Sequence, residues 1–119
     1  MTLKDLKAQL QHRPETIEFA DIIELIHKLY DYTATRFSNG EGNNALINEP
    51  GSNEGSCKIF AFAKLQKLSK AETLLCFGPF YREDVLKKPE GSDHANIRSF
   101  MQYGWDGITF DQAALNLKK

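Results

Sequence analysis

Apolar residues fall at helical spacing along much of this chain, and the pattern lapses at a few sharp places. Leu3, Leu6 and Leu10 stand at i, i+3 and i+7, which predicts a short amphipathic helix over residues 3–11 with Thr2 as its N-cap. His12-Arg13-Pro14 breaks it. Phe19, Ile22, Ile23, Ile26, Leu29 and Tyr30 form the stripe of a second helix, predicted to open at Pro14 and to end near Tyr32-Thr33. Glu15, Glu18 and Asp21 lie near its start, where the helix dipole favours negative charge.

From about residue 35 to 55 the periodicity stops. Asn39, Gly40, Gly42, Asn43, Asn44, Asn48, Pro50, Gly51, Ser52 and Asn53 are turn formers, and they predict one long polar loop tacked down by Phe37, Leu46 and Ile47. At Asn53–Lys58 this loop gives way to Cys57, Ile59, Phe60, Ala61, Phe62, Ala63, Leu65 and Leu68. A run so uniformly apolar belongs at the centre of a fold. It predicts a helix over 57–68 capped by Ser56, with a buried strand at Ile59–Ala63 as the alternative.

Ser69-Lys70-Ala71-Glu72 is a capping box that opens the next helix, and Gly78-Pro79 predicts its kink or split. Asp93 is placed to N-cap a last helix over residues 94–103 that buries Ile97, Phe100 and Met101, with Gly104 closing it. Trp105–Phe110 reads as extended, and the tail from Asp111 as one more helical turn. The expected architecture is all-α: a compact single domain over residues 1–119, about five helices, one long loop (about 35–55) and a short extended C-terminal segment.

Composition narrows the function classes. A chain of 119 residues buries roughly 65% of its unfolded surface, enough for one core without staples. The net charge of −1 and the lack of a Lys/Arg stripe argue against nucleic acid and against a membrane-surface patch. No apolar run reaches the ~20 residues of a membrane span, and Met1–Leu6 carries no apolar signal core, so a cytoplasmic protein is expected. Cys57 and Cys76 read as free thiols of a reducing compartment, with a disulfide between them as the lesser alternative.

Two clusters carry candidate chemistry. Cys57 follows Gly55-Ser56 into a predicted first helical turn, where unpaired amides and Lys58 favour a thiolate. Gly-Ser-Cys resembles the cysteine stretch of papain-like proteases, and His94 with Asn96 or Asp93 completes a nucleophile–base–orienter order. The chain is too short for that fold and His94 follows too soon, so packing of Cys57 as a small hydrophobe is the preferred reading. Asp93 and His94 are also metal ligands by type. His12 and His27 sit on distant helices, so no metal site is expected.

Tyr81-Arg82 and Gly104-Trp105 are candidate recognition residues. No phosphate-binding loop, dinucleotide fingerprint, Cys-x-x-Cys or His-Glu-x-x-His pattern occurs, and no cofactor is expected. A helix-turn-helix reading of residues 70–103 leaves only Arg98 as a basic side chain on the last helix.

Several compound motifs together resemble one family. They are Tyr30-x-Tyr32, Phe37-x-Asn39-Gly40, Asn53–Lys58 running into Ile59–Ala63, and Thr73-Leu74 with Phe77-Gly78-x-x-Tyr81-Arg82. Asp93-His94-x-Asn96-Ile97-Arg98-x-Phe100-Met101 and Gly104-Trp105-x-Gly107-Ile108-x-Phe110 complete the set. The chain resembles the HopJ (HopPmaJ) type III effector family from about Phe19 to Leu115. The resemblance implies a small bacterial protein, with no established enzymatic activity, named for a candidate effector that a type III system delivers into plant cells. Pro79 departs from the family pattern, and Met1–Gln11 reads as an amphipathic helix where effector N-termini are often Ser-rich and disordered.

The function expected is binding of a small molecule, peptide, or host or bacterial protein. The expected surface comprises Asn39, Asn53, Glu54, Ser56, Lys58, Tyr81, Asp93, His94, Asn96 and Arg98. The rival is a cysteine-dependent enzyme using Cys57 and His94.

Overall fold

Phe60 has no solvent-facing side, and the fold is built around the helix that carries it. A computed structural model describes residues 1–118. Helix α3 (Glu54–Leu65) buries Cys57, Ile59, Phe60, Ala61, Phe62 and Ala63 on all sides, so the uniformly apolar run does form the central helix. Such a helix needs cover from several directions. The Phe60 ring meets those of Phe37, Phe77 and Phe100 at centroid distances of 6.0, 5.4 and 4.9 Å.

Helix α1 (Leu3–His12) contributes Leu6 and Leu10, and α2 (Phe19–Leu29) lays Ile22, Leu25 and Ile26 into the same core. Thr2 caps α1 in a reciprocal box with Asp5. Pro14–Thr16 forms its own 3₁₀ turn, so α2 opens only at Phe19, later than its acidic residues suggested.

The all-α expectation is overturned by five three-residue strands in two antiparallel sheets among the described residues. Strand β1 (Tyr30–Tyr32) pairs with β5 (Leu115–Leu117), Tyr32 opposite Leu115. Strand β2 (Phe37–Asn39) lies between β3 (Leu46–Asn48) and β4 (Ile108–Phe110), with Phe37 opposite both Asn48 and Phe110. The long loop is therefore a hairpin turning through a 3₁₀ segment at Gly42–Asn44, and the tail expected to be helical is a strand. Three residues give one alternation of in and out, too little to register as a period of two among turn formers. Strands β4 and β5 come from far along the chain, and β3 alone pairs locally, in the hairpin with β2.

The capping box at Ser69 opens α4 (Lys70–Leu75) as predicted, and the chain splits at Gly78-Pro79. Gly78 has φ +61°, and a Cβ there would lie 2.7 Å from the Phe19 amide nitrogen, so both conformation and space demand glycine. A π-helical turn (Phe80–Val85) follows, and then α5 (Ala95–Tyr103). Two predicted caps are displaced. Asn53 (φ 52°), not Ser56, precedes α3, and His94 (φ 52°), not Asp93, precedes α5. Gly104 closes α5 with φ 65°, as expected.

Candidate functional site

Cys57 is fully buried, and Thr35 and Tyr32 stand over it. Burial pushes its thiol above the ordinary range. Tyr32 and the Thr35 backbone oppose that shift, and the Glu54 carboxylate adds to it. The first turn thus brings an acid as well as the cation that sequence reading emphasised. Lys58 extends its Nζ over the Tyr32 ring, 4.6 Å from the centroid. Tyr32 is itself held well above its usual range, by burial first and by Glu54 second. Cys76 is also buried, and its thiol is pushed up to about 12 by burial.

His94 has other neighbours. Its Nε2 stands 3.0 Å from Asp84 Oδ2 and 3.8 Å from Asp93 Oδ2, and its ring lies 5.1 Å from that of Phe80. Asp84, which the sequence did not single out, arrives from the π-helical turn. The donor atoms of Asp84, Asp93 and His94 all fall within 4.8 Å of one another, and these are the residues that could hold a metal. Each is already engaged. Asp93 Oδ1 accepts from Arg98 Nη2 at 2.7 Å, which holds the Asp93 carboxyl below its usual range. Arg98 also donates to the carbonyls of Asp93 and Lys88, so its guanidinium pins the turn ahead of α5.

Asn39, Asn53 and Asn96 are brought together through Asn48, a residue read only as a turn former. Asn96 Nδ2 donates to Asn48 Oδ1 (2.8 Å) while Asn48 Nδ2 donates back to Asn96 Oδ1 (3.1 Å). Asn39 Nδ2 donates to the Asn96 carbonyl (2.8 Å) and to its Oδ1 (3.0 Å). Asn53 Nδ2 reaches Asn48 Oδ1 at 2.8 Å, and Ser99 Oγ donates to the Asn39 carbonyl at 3.0 Å. Asn39, Asn48 and Asn96 are 0%, 3% and 7% exposed. The cluster fastens the β2–β3 hairpin to α5 and to the start of α3. Asn96 is committed here, so it does not orient His94.

The remaining predicted residues are scattered. Ser56 and Tyr81 are half-buried. Arg82, beside Tyr81, donates to the Ile17 carbonyl and pairs with Glu18. Trp105 Nε1 donates to the Leu68 carbonyl at 3.1 Å.

A different concavity was missed. Ala61, Lys64 and Leu65 of α3 face Phe110 and the segment from Gln112 to Leu115 across a groove of about 540 Å³. Lys67 stands on its rim, and a smaller cleft lined by Lys64, Lys67, Leu68 and Trp105 adjoins it. Leu65 is 52% exposed, and Leu117 of β5 is 71% exposed. No signal in the sequence marks this groove, because its two walls meet only after the tail returns as a strand.

The family model described as HopJ type III effector protein matches residues 3–115. A solved crystal structure, of a protein of unknown function called VPA0580, superposes with a TM-score of 0.91 at 48% identity, covering 99% of this chain and 95% of that one. The comparison with curated proteins gives no match. No helix among the described residues is long and apolar enough to cross a membrane.

Proposed function

The chain belongs to the HopJ type III effector family, and from that premise we propose that it acts by binding a partner non-covalently rather than by catalysis. The observation that carries this reading is the groove between α3 and the C-terminal strands. It leaves a mostly apolar concave surface uncovered where a folded chain otherwise buries such surface. The residues a cysteine mechanism would use are engaged elsewhere: Cys57 under Tyr32 and Thr35, His94 with Asp84, and Asn96 in the amide cluster.

Photo-crosslinking tests the reading. With benzoylphenylalanine at Leu65, a discrete adduct is expected in cells, and none with the same probe at Glu15. No adduct at Leu65, together with alkylation of native Cys57 faster than a free thiol, overturns it in favour of the enzyme. The localisation proposed is the bacterial cytoplasm, with type III export as the alternative that the family description suggests. Leu3–His12 forms a capped helix that buries Leu6 and Leu10, unlike a disordered export signal. A reporter fused to residues 1–50 is expected to stay in the cell, and export through a type III system overturns that part alone.

A further inference from the structure

We propose that the groove between α3 and the β4–β5 segment takes a short acidic peptide segment, with an apolar side chain as its anchor and carboxylates on the Lys64–Lys67 rim. The inference rests on the binding reading above and adds the chemistry of the partner.

The floor is apolar. Ala61 is small and deep, Leu115 and Ala114 are buried, and Leu65 and Phe110 present hydrocarbon to the opening. At about 540 Å³ the groove lies in the size range of specific sites and has room for apolar anchors. The rim is basic. Lys64 holds its Nζ 6.0 Å from the Phe110 ring centroid, over the floor, and Lys67 follows one turn later. Among the described residues neither lysine pairs with a carboxylate. Asp111, next to Phe110, lies 3.7 Å from Arg36. Two cations beside bare hydrocarbon favour a ligand that carries both hydrocarbon and negative charge. The net charge of −1, with 15 basic residues against 16 acidic ones, argues against a long polyanion as the ligand. Strand β5 pairs only with β1 among the described residues. Leu115, its first residue, is the part of β5 that lines the groove, and an apolar floor beside two cations fits a peptide with an apolar anchor better than a small anion.

The test is selection of random peptides displayed on phage against the immobilised full chain. Enriched peptides are expected to carry Asp or Glu beside Leu, Phe or Trp. The synthesised consensus peptide should shift the amide resonances of Lys64, Leu65, Lys67 and Ala113–Leu115. In the K64E/K67E variant its affinity should fall about tenfold, as expected of two rim charges, with the unfolding midpoint unchanged. Enrichment of peptides without carboxylates, no enrichment, shifts elsewhere, or unchanged affinity in K64E/K67E overturns the proposal. So does concentration-dependent dimerisation that Leu65→Asp abolishes, since the occupant would then be a second copy. A crosslink at Leu65 with any of these results leaves the binding reading standing and removes only the acidic-peptide inference.

Discussion

Asn39, Asn48 and Asn96 carry carboxamides and lie buried, whereas Leu65, Phe110 and Leu117 carry hydrocarbon and reach solvent. The two regions invert the usual rule of polar outside and apolar inside. In the first, the amide nitrogens of Asn39, Asn48 and Asn96 and the oxygens of Asn48 and Asn96 find complementary groups, so most of the desolvation is offset by hydrogen bonds. Asn39 Oδ1 alone among these side-chain atoms is buried without a partner. In the second, Leu65 and Leu117 are uncovered among the described residues, and Phe110 is only half covered, its ring stacked on Phe37 at 5.4 Å. A buried polar cluster of this kind is a structural fastener, and an uncovered apolar surface is the better candidate for an outside partner. Polarity along the chain predicts neither role unless the partners are known.

Removing one member of the fastener should have the largest effect. Asn96→Ala removes the Oδ1 that accepts from Asn39 and Asn48 and the Nδ2 that donates to Asn48, leaving Asn39 with the Asn96 main-chain carbonyl and Asn48 with long contacts to the Phe37 and Leu46 carbonyls. It should cost about 3 kcal/mol of stability by urea unfolding. A loss below about 1 kcal/mol would break the comparison, because the cluster would then fasten little.

Alkaline pH probes the buried interior next. The folded pKa of Cys76 is raised to about 12 from 9.0, so the folded state holds its proton after the unfolded state has lost it. The associated stability is complete below pH 9 and is lost as pH rises towards the folded value. Stability should fall between pH 9 and about pH 12, and the fall should be shallower in Cys76→Ala by about 1.4 kcal/mol per pH unit. An identical slope in the variant would show that another group governs the alkaline limb. By the same burial, native Cys57 should react with iodoacetamide about a hundredfold more slowly than after unfolding, followed by mass spectrometry.

Helix starts give a smaller contrast. Ser69→Ala should cost about 1 kcal/mol, because Ser69 accepts from the Glu72 amide. Ser56→Ala should cost less than about 0.5 kcal/mol, because Asn53 and not Ser56 stands at the start of α3. Equal losses would restore Ser56 as the cap. The smallest effect belongs to the groove rim, where Lys67→Glu should change stability by less than about 0.5 kcal/mol. A larger loss would mean the rim is part of the fold's own support.

Much of this molecule was legible in advance where the signal is local. Thr2 with Asp5 and Ser69 with Glu72 start helices through bonds three residues apart, and the reading of those starts needed nothing distant. Gly78-Pro79 splits a helix for the same local reason. The strands were illegible because Phe37-Ser38-Asn39 is too short to show a period, and its partners at Leu46–Asn48 and Ile108–Phe110 are chosen by docking. The site residues divided likewise. Asn39, Asn53 and Asn96 were picked out as exposed contacts, yet Asn39 and Asn96 are interior and meet through Asn48. Asp84 reaches His94 only because the π-helical turn carries it there.

Sequence alone determined that the run from Cys57 is central, since a run apolar on every face has no stable place but the middle. The structure decided for a helix, Glu54–Leu65, over the alternative strand. The sequence also determined the starts of α1 and α4. The family was also readable, because its compound motifs run through nearly the whole chain. Tertiary structure decided the two sheets, the burial of the asparagines and the existence of the groove. Each depends on which distant segments meet, and hydrogen-bond complementarity and apolar cover are properties of meetings, not of single residues.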